Sequence, residues 1–270
     1  MTRTNFTDLT NEQRITLGQA FNRLWELGRI QSNANLHDIN FTRGIHWGPA
    51  FLPWHRDFLR KIEIGLQEYD PSISLPYWDW TRADSRNIDI SPWEEFCGGR
   101  DNDGGMFDSW DYRRNETDRG IVLPSLDDII EELDKDSFAT FRALESGSHT
   151  PGHRWTGGDM ASGTSPIDPL FYLHHCNLDR LWAIWQLNNP DVLQYEHLTN
   201  IGLNDRVDGA RVPIDSPMIE GAEGEEGVTP RSVLNHLALN YTYQRDERLE
   251  NAWFEQKGTQ LITNAAQLPA

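Results

Sequence analysis

Apolar residues in this chain recur mainly at helical spacing. Thr10, Glu12 and Gln13 make a helix start, and Leu17, Phe21, Leu24, Trp25 and Leu27 keep one face as far as Gly28, which predicts a helix over about 10–28. A loop holding His37 is expected next. Pro53 then suits a first turn, and Trp54, Phe58, Leu59, Ile62 and Leu66 share a face of a second helix. From about 75 to 124 the periodicity stops and Trp, Asp, Gly and Arg dominate. This reads as a long irregular excursion that Trp78, Trp80, Trp93 and Trp110 pack down. Ser125 with Asp127 and Asp128 opens another helix through Ile129, Ile130 and Leu133, and a short one is expected between Ser137 and Leu144. Asp168-Pro169 is an N-cap and first-turn pair, followed by the mostly apolar run from Leu170 to Trp185. Residues 203–230 are rich in Gly, Pro and Glu and read as loop. Val233, Leu237 and Leu239 give one more short helix or strand. No repeat or linker divides the chain, so the expectation is one mainly α domain with long irregular loops and little β structure.

Composition narrows the function classes. With 11 Trp, 11 Phe and 7 Tyr among 270 residues, the chain can bury a sizeable core. Its net charge of −18 repels phosphate backbones and anionic membrane surfaces, which speaks against nucleic acid and membrane as partners. Cys97 and Cys176 are too few for a disulfide framework or a thiolate metal site. Cys176 reads as a small core residue. The first residues, Met1–Phe6, lack the charged and apolar run of a secretory signal, and no stretch approaches the roughly 18 apolar residues of a membrane span. Cytoplasmic is therefore the default expectation for its location.

The histidines carry the candidate chemistry. His37, His197 and His236, each taken singly, read as ordinary structural residues. His149 and His153, four apart, share a helix face and can grip one ion. His46 and His55 flank an apolar loop, and His174-His175 lie inside the most apolar helix, where an imidazole costs free energy unless it bonds to something. Glu-x-x-His pairs of a di-iron bundle are missing at these positions, whereas an all-imidazole donor set suits copper or zinc. Three histidines in each half then suggest two similar metal sites facing each other, with open positions for a small molecule.

Four segments in order complete a signature: Phe51-Leu52-Pro53-Trp54-His55-Arg56, Leu75-Pro76-Tyr77-Trp78-Asp79-Trp80, Gly157-Gly158-Asp159-Met160, and Asp168-Pro169 through Leu173-His174-His175-Cys176-Asn177-Leu178-Asp179-Arg180-Leu181-Trp182. Together they closely resemble tyrosinases and related polyphenol oxidases. Arg3 and Tyr241-Thr242-Tyr243 resemble the boundary markers of that family's catalytic domain, which implies a core over about 3–243 and a C-terminal extension over about 244–270. The resemblance implies a helical bundle with a four-helix core around a pair of copper ions, the type 3 centre. It assigns His37, His46 and His55 to the first copper and His149, His153 and His175 to the second, with His174 as the alternative to His175. Asp179, one turn after His175, is implied as a partner that orients an imidazole, against a plain reading as a surface or salt-bridged Asp.

Departures from the family pattern bear on the reaction. Gly44 stands two before His46, where fungal and plant members often carry a Cys cross-linked to histidine, so this site resembles the bacterial type. Many tyrosinases have Asn directly after the first ligand of the second copper and an upstream Glu, the two holding a water that deprotonates the phenol. Here Thr150 takes the Asn position, and Glu145 lies closer to His149 than the family's Glu does, so Glu145 reads rather as a helix-surface residue. Arg154, next to His153, stands where some members touch substrate, and Ser162 and Gly163 where others place a bulky gate. The implied activity is oxidation of o-diphenols or o-aminophenols to quinones or quinone imines with dioxygen, with slower ortho-hydroxylation of monophenols. Two rivals stand beside it: a haemocyanin-like dioxygen carrier and a dinuclear zinc protein. The sequence leaves open the oligomeric state, the physiological phenol and whether a helper protein loads copper.

Overall fold

The structure is a computed structural model and describes residues 1–100, 103–114, 120–196, 212–218 and 227–268. His197 and most of the expected 203–230 loop lie outside the described residues. Helix α1 spans Asn11–Glu26 behind a Thr10–Gln13 capping box and buries Leu17, Ala20, Phe21 and Leu24. Helix α3, Phe51–Tyr69, buries the predicted stripe of Trp54, Phe58, Leu59, Ile62 and Leu66. Between them, the expected loop around His37 is a helix, α2, Arg29–Asn40. Its core-facing positions Ile30, Ala34 and His37 recur at helical spacing, but only the first is strongly apolar, so the stripe is faint in sequence.

The excursion between α3 and Ser125 is irregular apart from the short helix α4, Trp93–Cys97, and its four expected tryptophans are all buried. Trp110 stacks on Trp25 and donates its indole N–H to Asn22, while the Trp78 backbone N–H donates to the Leu173 carbonyl. Helix α5, Leu126–Leu133, starts in a Ser125–Asp128 capping box, and a single helical turn, α6, covers Phe138–Phe141. A π-helical turn, Glu145–His149, runs straight into α7, Thr150–Thr156.

Helix α8, Leu170–Asn188, is the axis of the molecule, with every residue from Leu170 to Trp185 buried. A helix apolar on all sides must be surrounded: α3 and α5 pack against it, and α1, which packs on α3, brings Phe21 against Tyr172 of α8 at 5.4 Å between ring centroids. Asp168 does more than cap α8. One carboxylate oxygen accepts the Leu170 N–H at 2.9 Å, and both are gripped by the Arg114 guanidinium at 2.6 and 2.7 Å, which ties the end of the excursion to the start of α8. Val233 ends a helical turn, α9, Pro230–Val233, and Leu237 and Leu239 lie in a 3-10 turn. Helix α10, Glu247–Lys257, packs against α5.

The described β structure is one pair of two-residue strands, β1 (Thr2–Arg3) parallel to β2 (Thr242–Tyr243). That pairing carries Arg3 into the core. Its guanidinium forks onto Glu63 at 3.0 and 3.1 Å, reaches Asp179 at 3.2 Å and lies 3.6 Å above the Tyr241 ring. Asp179 also accepts from Arg56, Tyr241 and Tyr243. Of the two sequence readings of Asp179, the structure therefore favours the salt-bridged one, since its described partners include no imidazole. The surface part of that reading is wrong, because Asp179 is buried and joins α3, α8 and both strands.

Candidate metal centre

Seven imidazoles converge between α2, α3, the π-helical turn, α7 and α8, all at most 8% exposed. His37, His46 and His55 each offer a ring nitrogen within 4.8 Å of the others, and His149, His153 and His174 form a second such group. Inside the first, Nε2 of His37 stands 3.1 Å from Nε2 of His46 and 3.4 Å from Nε2 of His55. Across the second, Nε2 of His153 and Nε2 of His175 are 3.0 Å apart. His175 also stacks on His55 with ring centroids 4.3 Å apart, so it lies between the groups.

The main chain aims several of these rings. Nδ1 of His37 donates to the Gly163 carbonyl at 2.6 Å, Nδ1 of His55 to the Phe51 carbonyl at 2.8 Å, and Nδ1 of His153 to the Met160 carbonyl at 2.5 Å. A proton fixed on Nδ1 leaves Nε2 as the free lone pair, pointing inward. His55 reaches Phe51 because the two are one helical turn apart. Gly163 is held by its own surroundings, since a Cβ there would fall 2.1 Å from the Asp38 carboxylate. The small residue at the expected gate position thus serves the fold near His37. Ser162 beside it donates to the Asp159 carbonyl.

Burial, reinforced by neighbouring imidazoles, holds these rings neutral. His153 is pushed down to about 4, chiefly by burial, and His37 to about 3 by burial and the field of His153. His46, His55, His149, His174 and His175 lie well below the usual imidazole value, again through burial first and adjacent histidines second. Neutral imidazole is the form that binds metal. His149 supplies the sharpest sign that something is to be held: both its ring nitrogens are buried without a hydrogen-bond partner. Such groups are costly unless a ligand satisfies them. Imidazole-only donors fit copper, and the two groups can hold two copper ions.

His174 and His175 are both brought to the site but face different ways. His174 donates Nε2 to the His149 carbonyl at 3.1 Å and packs its ring against Trp80. His175 spends no nitrogen on the main chain; its Nε2 faces His153 and its Nδ1 has no partner.

Glu145 departs from its sequence reading as a helix-surface residue. It is buried, accepts the Trp47 backbone N–H at 2.6 Å and lies 3.2 Å from Nδ1 of His46. Burial pushes its carboxyl up to about 8, against the lowering pull of the Trp47 bond and Arg142. With His46 and His149 it forms a third potential ligand group, straddling the other two. The π-helical turn makes the difference, because a wider turn re-aims its first side chain relative to a regular helix. Thr150 sits half-buried at the start of α7 and donates its hydroxyl to the Glu145 carbonyl at 3.0 Å. Arg154 is exposed on α7 beside His153. His236 is buried against Tyr241 and Tyr243, away from both groups.

Sequence and fold comparisons agree with this geometry. The profile for the common central domain of tyrosinase matches residues 28–110 and 106–188. A tyrosinase from Streptomyces antibioticus is 34% identical over 230 residues, covering 70% of this chain and 84% of the relative. Among solved structures, a latent aurone synthase, a polyphenol oxidase, superposes with a TM-score of 0.66 at 18% identity, over 91% of this chain and 57% of its own. A functional unit of octopus hemocyanin gives 0.61 at 19% identity, over 95% of this chain and 73% of its own. At those identities the structural likeness speaks for the fold, and no described helix is long and apolar enough to cross a membrane. With two facing histidine groups on a matching profile, the chain belongs to the tyrosinase family, the copper-dependent phenol oxidases of the type 3 copper fold.

Proposed function

We propose that this protein oxidises o-diphenols, and o-aminophenols, with dioxygen and hydroxylates monophenols only weakly. In this reading His37, His46 and His55 hold one copper and His149, His153 and His175 the other. His174 is left as a packing residue, because its ring lies against Trp80 and its partnerless nitrogen is Nδ1, whereas Nε2 of His175 faces Nε2 of His153 at 3.0 Å. Bound copper supplies the two-electron exchange with dioxygen. Two o-diphenols and one dioxygen give two o-quinones and two waters, so each diphenol loses two electrons and two protons and no oxygen is inserted.

The observation that carries the reading is how Glu145 and Thr150 are committed. A monophenol, with a pKa near 10, needs its hydroxyl proton taken before oxygen enters the ring. Oε1 of Glu145 accepts the Trp47 N–H and lies against His46, and the Thr150 hydroxyl donates its one proton to the Glu145 carbonyl. Thr150 therefore offers a water only lone pairs, where an amide side chain would also offer N–H donors. Arg154, exposed on α7 next to His153, stands where the family resemblance puts a substrate contact.

A dioxygen carrier is the second reading, favoured by the likeness to the octopus hemocyanin unit. Copper content measured together with oxygen uptake on a monophenol, its o-diphenol and an o-aminophenol separates the readings. Two coppers per chain, prompt uptake on the diphenol and aminophenol, and slow or lagging uptake on the monophenol are expected. Equal uptake on the monophenol without a lag overturns the weak-hydroxylation claim. Reversible oxygen binding without turnover gives the carrier, and zinc in place of copper ends the redox reading.

A further inference from the structure

Trp47 combines three features that packing does not explain. Its backbone is left-handed, with φ at 57°, a conformation that bulky side chains rarely adopt and glycine adopts freely. Its N–H is held by the Glu145 carboxylate, so the turn is fixed from within the metal centre. Among the eleven tryptophans, all within the described residues, it is the one with an exposed side chain, at 56%. Glycine would make the same turn and the same hydrogen bond without strain and without presenting a large apolar ring to water. A strained, exposed aromatic fixed beside reacting groups is the signature of a side chain kept for contact with a ligand.

The ring has a defined place. Its centroid is 5.6 Å from that of His46, and the ring meets Phe41 edge-on at 5.2 Å, so it stands one ring outside the buried imidazoles and is braced on one side. Aromatic pairs interact at centroid separations of about 4.5–7 Å. We propose that Trp47 is an outer aromatic platform of the phenol site, stacking on a second ring of the substrate, so that aryl-extended catechols or aminophenols are preferred over single-ring ones. This rests on the phenol-oxidase reading above and names the substrate class of the same site.

The test uses the copper-loaded protein, Trp47→Gly and Trp47→Phe. Glycine keeps the left-handed turn and the N–H to Glu145 while removing the ring, so folding is preserved, and thermal unfolding checks this. The ratio of kcat/KM for 4-phenylcatechol to that for catechol is expected to fall about 5–10-fold in Trp47→Gly, mainly through KM, and to be largely restored in Trp47→Phe. Calorimetric binding of the unreactive pair 4-phenylbenzoate and benzoate should lose its preference for the biphenyl in the same variant. An unchanged ratio with unchanged binding preference overturns the platform. If the wild-type protein oxidises neither catechol, the phenol-oxidase reading falls, and the benzoate pair still decides the case of Trp47: no preference for the biphenyl in the wild type, or a preference that survives Trp47→Gly, overturns it.

Discussion

Nε2 of His153 and Nε2 of His175 face each other at 3.0 Å, and His153 keeps its only ring proton on Nδ1 for the Met160 carbonyl. Because Nδ1 of His175 has no partner, its proton can sit on Nε2 and donate to His153, a bond that a cation held by both rings would replace. His174, one residue earlier, faces the other way and donates to a carbonyl.

The adjacent pair therefore separates by metal content. His175→Ala should reduce copper from two ions per chain toward one, whereas His174→Ala should keep both ions and lower the unfolding temperature through lost packing against Trp80. Elemental analysis of both purified variants decides this, and loss of copper from the His174 variant alone would exchange their roles.

Gly152 lies against the same ring. A Cβ added there would fall 2.2 Å from Cε1 of His174, a buried ring braced by Trp80 that has nowhere to retreat. Gly152→Ala should cost about 1–3 kcal/mol by overpacking, read as a lower urea midpoint. An unchanged midpoint would mean that the ring can move.

Asp179 is the shared acceptor of Arg3, Arg56 and two tyrosine hydroxyls. Burial alone would raise its carboxyl, but Arg56, Arg3 and the tyrosines hold it below the usual carboxylate range. Asp179→Asn leaves two buried guanidiniums short of charge, and breaking such a pair costs about 3–5 kcal/mol. Denaturant unfolding of the variant should show a loss of that size, and a loss under about 1 kcal/mol would assign the balance to Glu63 alone.

The metal-free protein should have a bell-shaped stability profile. His153 and His37 titrate lower when folded than when unfolded, so their contribution is present above about 6.5 and is lost as the pH falls toward their folded values of about 4 and about 3. For His153 the loss is on the order of 3 kcal/mol. Glu145 and Glu132, both pushed up to about 8 by burial, run the opposite way: their contribution is present below about 4.5 and is lost as the pH rises through 8. Urea midpoints measured from pH 4 to pH 9 should peak near about pH 6. A midpoint that is flat below pH 6 would show that the rings are not held neutral.

Much of this was legible in the chain because it rests on local chemistry. Capping boxes at Thr10 and Ser125, the stripe through α3 and the all-round apolar run of α8 each specify an element from within a few residues. The histidines stood out because imidazoles flanked by Phe and Trp must bond to something. What escaped depended on distant partners or on an irregular turn. The helix around His37 gains its buried face from the 3-10 turn at Ser165–Ile167, over a hundred residues away. Glu145 read as a surface residue because it lies closer to His149 than the family's Glu does, but the backbone between them makes a π-helical turn, which the spacing alone does not reveal. Asp179 was offered an imidazole partner one turn away, but Arg3 and Tyr241, which claim it, are remote in sequence and brought in by the β1–β2 pairing.

Three of the proposed ligand imidazoles take their direction from main-chain carbonyls, at Gly163, Phe51 and Met160. A carbonyl is present whatever side chain the residue carries. Substitutions at Phe51 or Met160 can loosen the surrounding packing without deleting the acceptor that orients the ring. The aim of the centre is in this respect written in the course of the backbone, and the neighbouring side chains are free to diverge for other ends.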